Sequence, residues 1–262
     1  MTLLNHKIIR SDSDQQPEKP WAILVHGLFG SLDNLNNLAR SLASTANCVL
    51  IDLPNHGASK TLTHFSFESV CQHIDELLTH LSIESAHIIG HSLGGKIALH
   101  MGLQHPSRCL TLVAADIAPV KYAHRHQAVF DGLQNVDLAT VINRQHAMEQ
   151  LSEHVKDPAT KQFLLKGLYQ AEDQWSWRFR VEHLIDSYDS IRDWHDPEGI
   201  FNGPTLFVIG GNSDYVQPEH QAQIKRQFPN AKAKVIQGTG HWLHAEKPTI
   251  FNKIVNDHIR AN

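Results

Sequence analysis

The chain has 262 residues, 41% of them hydrophobic and 19% charged, with a formal net charge of -4. That balance suits a globular α/β domain with an insertion, and the dispersed lysines and arginines form no basic run, which excludes nucleic acid as the expected partner. No stretch approaches the ~18 apolar residues of a membrane span and Met1 to Arg10 holds no signal-like run, so neither membrane insertion nor export is expected.

In chain order, Leu3 to Arg10 reads as an edge strand closed by the polar turn Ser11 to Pro20. Trp21 to Val25 is a buried strand that delivers His26-Gly27-Leu28-Phe29-Gly30-Ser31. Asp33 to Ser44 is helical, with Leu35, Leu38 and Leu42 on one face, and Cys48 to Leu53 is the next strand. Phe67 to Leu81 shows helical apolar spacing, after which Ala86 to Ile89 is a short strand rich in β-branched residues. A helix follows and stops at Pro106, and Leu110 to Ala118 is a further strand with Asp116 at its carboxyl end. Residues 119–203 read as a helical insertion, with segments near Gln127 to Leu133, Leu138 to His154, Ala159 to Tyr169 and Val181 to Trp194. Sheet strands resume at Pro204 to Gly211. A helix near Pro218 to Phe228, a strand at Ala233 to Ile236 and a helix from Pro248 to Arg260 close the chain.

Alternating strands and helices mean βα units around a mostly parallel sheet covered on both faces. The expected organisation is a core of residues 1–118 and 204–262, with 119–203 as a helical cap inserted before the last two strands. The insertion holds nine Lys and Arg against thirteen Asp and Glu, so it carries the whole net charge. Cys48, Cys71 and Cys109 are odd in number and far apart, which suits reduced thiols and a cytoplasmic protein.

Open sheets of this kind bind ligands beyond the carboxyl ends of their strands, and the candidate reactive residues fall there. Gly90-His91-Ser92-Leu93-Gly94 fits G-x-S-x-G between a strand and a helix, the turn that projects a nucleophilic serine above a sheet. A rival shares the segment. Gly90 to Lys96 also satisfies G-x-x-x-x-G-K of a phosphate-binding loop, yet Ile97 stands where Ser or Thr would ligate Mg²⁺.

A serine hydroxyl needs an imidazole to take its proton and a carboxylate to orient that imidazole, in the order Ser, acid, His. Ser92 and His241, in Gly240-His241-Trp242-Leu243-His244, fit this order. Asp116 and Asp214 are both placed to be the acid, and spacing does not separate them. The backbone N–H groups of Leu28 and Leu93 are the expected oxyanion donors. His26, Phe29 and Trp242 are expected to line the substrate site. His87, His100, His105, His124, His126 and His146 read as surface or packing residues, and His244 as a weaker base than His241. A metal site from His241, His244 and Glu246 lacks the helical H-E-x-x-H arrangement, and no metal is expected.

These residues resemble the α/β-hydrolase superfamily through His26-Gly27, Asn55-His56-Gly57-Ala58-Ser59, Gly90 to Gly94 and Gly240-His241. More narrowly, His26 to Asn34, Gly90 to Lys96, Asp116-Ile117-Ala118-Pro119-Val120, Gly210 to Ser213 and Gly240 to Pro248 resemble the small YbfF-type bacterial esterases. The resemblance implies hydrolysis of small-molecule acyl esters, with thioesters as a second class, through an acyl-enzyme and without cofactor. It also implies Asp116 as the acid; the chain departs from that group in carrying Asp214 as well. The other readings are a non-catalytic small-ligand receptor or a lyase on the same fold, and a nucleotide-binding protein using Gly90 to Lys96.

Overall fold

The computed structural model describes residues 3–10, 19–172 and 174–262, so most of the turn expected at Ser11 to Pro20 lies outside the described residues. The strands are β1 (His6–Ile9), β2 (Trp21–Val25), β3 (Asn47–Ile51), β4 (Ala86–His91), β5 (Cys109–Ala115), β6 (Leu168–Ala171), β7 (Gln174–Trp177), β8 (Thr205–Gly210) and β9 (Ala231–Ile236). The α-helices are α1 (Asn36–Leu42), α2 (Phe67–His80), α3 (Leu93–Gln104), α4 (Gln127–Asn135), α5 (Arg144–Leu151), α6 (Pro158–Lys166), α7 (Val181–Asp186), α8 (Tyr188–Arg192), α9 (Gln221–Gln227), α10 (Leu243–Glu246) and α11 (Pro248–Arg260).

Seven strands form one sheet in the order β1-β3-β2-β4-β5-β8-β9, parallel throughout except for the antiparallel edge strand β1. Side chains alternate across it. Ile23, Val25, Val49 and Ile88 pack with Val70, Ile74 and Leu77 of α2, while Ala22, Leu24, Leu50 and Ile89 pack with Leu38 of α1 and Phe251 and Val255 of α11. Both faces are therefore buried, which is why these strands read as continuous apolar runs. No helix among the described residues is long and apolar enough to cross a membrane.

Residues 119–203 leave the sheet after β5 and return at β8. They contain α4 to α8, but also the antiparallel hairpin β6–β7, which corrects the expectation of a wholly helical insertion. The helix expected over Ala159 to Tyr169 ends at Lys166, and β6 begins at Leu168. Trp175, Trp177 and Phe179 alternate with polar residues over this stretch, the period of a strand with one buried face. Leu138 to His154 is helical only over α5, and Val181 to Trp194 is two short helices broken at Ser187.

Candidate active site

The site forms where β4 turns into α3. Ser92 sits between them with φ 52° and ψ -118°, a left-handed conformation costly for a side chain larger than glycine's. Its neighbours make the turn fit. A Cβ on Gly90 would stand 2.0 Å from the backbone of Gly94, and one on Gly94 would stand 2.2 Å from the Val25 carbonyl of β2. The two glycines thus let strand, helix and adjacent strand converge. Ser92 donates its N–H to the Ala115 carbonyl (2.9 Å), and its hydroxyl caps no helix N–H, so the hydroxyl is free to reach outward.

It reaches His241. The hydroxyl oxygen lies 2.9 Å from His241 Nε2, and His241 Nδ1 lies 2.7 Å from Asp116 Oδ2. Because an ionised carboxylate only accepts, Nδ1 donates to it, which leaves Nε2 as the acceptor for the serine proton. Asp116 is fully buried at the end of β5, with φ 53°. Its Oδ1 accepts the Gly210 N–H (2.9 Å), and Oδ2 also accepts from the Ser213 hydroxyl. The ring of His241 stacks on Tyr215 at 3.8 Å and 16°, while its backbone carbonyl accepts from His91 Nε2 (2.8 Å). Base and acid are therefore each held by further contacts, while the hydroxyl, among the described residues, is held by His241 alone.

Asp214 goes elsewhere. Its side chain is 74% exposed and pairs with Arg125, both guanidinium nitrogens facing its carboxylate at 3.1 and 3.2 Å. Of the two acids left open by the sequence, Asp116 is the one brought to His241.

The loop after β2 is braced by two neutral histidines. His26 Nδ1 donates to the Gly27 carbonyl (2.7 Å) and its Nε2 accepts from Leu53 N–H (3.1 Å); His56 Nδ1 donates to the Pro54 carbonyl (2.9 Å) and its Nε2 accepts the Phe29 N–H (3.1 Å). Burial lowers their pKa values to about 4 and about 3. This uses the N–H of Phe29 but not that of Leu28, and among the described residues neither Leu28 nor Leu93 donates its N–H to a protein acceptor.

A cavity of about 440 Å³ opens over Ser92, and Phe29 and Trp242 are among its walls. His26 is not: it is buried behind the loop, and both of its ring nitrogens are engaged by backbone. His126, expected to be a packing residue, faces the cavity, with its pKa lowered to about 4 by burial. Tyr215 and Phe163 were invisible in the sequence because α6 and the loop after β8 meet only in the folded chain. Phe163 packs against Trp242, ring centroids 4.0 Å apart and planes tilted by 31°.

The nucleotide reading of Gly90 to Lys96 fails on geometry. Lys96 is buried and donates to the carbonyls of Arg192 (2.9 Å) and Asp193 (2.8 Å), while Ile97 is fully enclosed. That ammonium has no room for a phosphate. Among the described residues no group of three or more His, Cys, Asp and Glu is arranged to hold a metal ion, His244 and Glu246 included.

The family model described as alpha/beta hydrolase fold matches residues 20–248, and the chain belongs to that family. It is 40% identical over 227 residues to Esterase YbfF of Escherichia coli (strain K12), covering 86% of this chain and 87% of that protein. It is 36% identical over 240 residues to the sn-1-specific diacylglycerol lipase ABHD11 of Mus musculus, covering 88% of this chain and 78% of the relative. Among solved structures, that of a marine microorganism esterase superimposes with a TM-score of 0.91 at 31% identity, over 98% of this chain and all of the other.

Proposed function

We propose that the chain is a serine hydrolase that cleaves carboxylic esters, with Ser92 as nucleophile, His241 as base and then acid, and Asp116 as the group that orients His241. The observation that carries this reading is the continuous hydrogen-bonded line from Ser92 Oγ through both nitrogens of His241 to a fully buried Asp116. Relatives bearing esterase and lipase names support the substrate class.

In the reaction, Ser92 Oγ bonds to the acyl carbon while its proton passes to His241 Nε2. The resulting imidazolium is stabilised by Asp116. The N–H groups of Leu28 and Leu93 receive the oxyanion, each donor being worth roughly 10²- to 10³-fold in rate. The acyl carbon to oxygen bond then breaks, and His241 gives its proton to the departing alcohol. Water attacks the acyl-enzyme, His241 takes the water's proton and returns it to Ser92, and the acid leaves. A thioester follows the same steps with a thiolate leaving group.

Residues 119–203 act as the cap of this site. Val129, Thr160 and Phe163 supply cavity wall from the insertion, and Lys96 and Arg125 tie it to the core. The free, buried state of Cys48, Cys71 and Cys109 supports a cytoplasmic location. On p-nitrophenyl acetate the wild type should turn over repeatedly, and Ser92→Ala should lower kcat by roughly 10⁴-fold or more. A folded Ser92→Ala variant that retained wild-type turnover would remove the nucleophile assignment.

A further inference from the structure

Ser92 borders two cavities, and His241 belongs to only one of them. The larger, of about 440 Å³, is walled by His241, Trp242, Phe163, Thr160 and Glu246. The smaller, of about 40 Å³, lies against Leu93, Ile117, Tyr122, Tyr188 and Ile191, and His241 is not among its walls. Leu28 borders both.

The chemistry decides which part of an ester enters which cavity. His241 Nε2 must come within hydrogen-bond reach of the leaving oxygen to protonate it, so the leaving group occupies the cavity that His241 walls. The carbonyl oxygen points to the N–H groups of Leu28 and Leu93. The remaining substituent of the acyl carbon is then directed away from His241, towards the small chamber that Leu93 walls.

Resting on the assignment of Ser92 and His241 above, we propose that the chamber formed by Leu93, Ile117, Tyr122, Tyr188 and Ile191 receives the acyl group, making the enzyme selective for short acids esterified to bulky alcohols or thiols. The size limit follows from volume. A water-sized group needs about 10–15 Å³ on this measure, so about 40 Å³ accepts up to roughly three carbons beyond the carbonyl, acetyl to butyryl. Longer chains run against Ile117, Tyr188 and Ile191, which are all buried and packed in the core that joins insertion to sheet. The larger cavity sets no comparable limit on the alcohol.

The experiment measures kcat/KM on p-nitrophenyl acetate, butyrate and octanoate for the wild type, Ile191→Ala and the milder Ile191→Val, with fluorophosphonate labelling of Ser92 run on each. The wild type should lose about tenfold or more between butyrate and octanoate, the size of an overpacking penalty. Ile191→Ala, at the chamber wall, should recover several-fold of the octanoate rate relative to acetate, and Ile191→Val a smaller part. Phe163→Ala, on the other cavity, should leave the acetate-to-octanoate ratio as it was. Wild-type turnover of octanoate equal to that of acetate would overturn the proposal, as would a labelled Ile191→Ala protein with an unchanged ratio. Absence of both ester turnover and labelling at Ser92 would instead remove the hydrolase reading, and the division of the cavities with it.

Discussion

Asp116 and Asp214 follow adjacent parallel strands, β5 and β8, so both end at the same edge of the sheet as His241. What separates them is local. Asp116 turns inward at φ 53° and is held by Gly210 N–H and the Ser213 hydroxyl, while Asp214 is drawn outward by Arg125 from the insertion. None of this is legible in spacing, because it depends on a positive φ at a non-glycine residue and on a contact spanning 89 positions. Asp116→Asn should lower kcat by roughly 10³- to 10⁴-fold, since an amide at that position fixes the wrong tautomer of His241. Asp214→Asn, which loses one exposed ion pair, should change kcat by no more than a few-fold. Steady-state kinetics on p-nitrophenyl acetate check both, and a larger loss for Asp214→Asn would reverse the assignment.

At the level of elements, the strand, turn and helix around Ser92 were plain in the sequence because three local signals coincide there: an apolar run, a pair of glycines and a helix stopped by Pro106. The insertion was less legible. Its elements are short, its helices α4 to α8 pack on one another in sequence-distant pairs such as α4 with α7, and the hairpin β6–β7 was hidden behind the helical pattern of α6. The docking of the insertion depends on a side chain whose role no motif announces. Lys96, on α3, reaches the carbonyls at the end of α8 and lies 4.9 Å over the ring of Tyr122, and burial lowers its pKa to about 7. Lys96→Ala leaves two carbonyls unpaired and a void beneath the insertion, so it should destabilise the protein by about 2–4 kcal/mol in urea titration. It should also make residues 119–203 more sensitive to limited proteolysis. A variant as stable and as resistant as the wild type would mean that Lys96 does not anchor the insertion.

Taken as one molecule, the chain buries several of its 20 histidines, His26, His56, His87, His91 and His100 among them. Burial lowers His26, His87, His100 and His126 to about 4, and His56 and His244 to about 3. Each of these groups binds a proton in the unfolded chain near pH 6.5 but not in the folded one until the pH falls to its depressed value. Stability is therefore complete above about pH 6.5 and is lost as the pH falls from there towards 4 and 3. The loss is on the order of 2 kcal/mol per group by pH 5, so a few groups rival the ~5–15 kcal/mol of a whole domain. The urea midpoint should drop steeply between pH 7 and pH 5, well above the range in which carboxylates titrate; a flat midpoint over that interval would contradict the burial of these rings as neutral groups. The central claim is that Ser92 is an activated nucleophile, and covalent labelling tests it most directly. A fluorophosphonate should form one adduct per chain, mapped by peptide mass to Ser92 and absent from Ser92→Ala. Folded wild-type protein that forms no adduct, or forms it at another residue, would contradict the account.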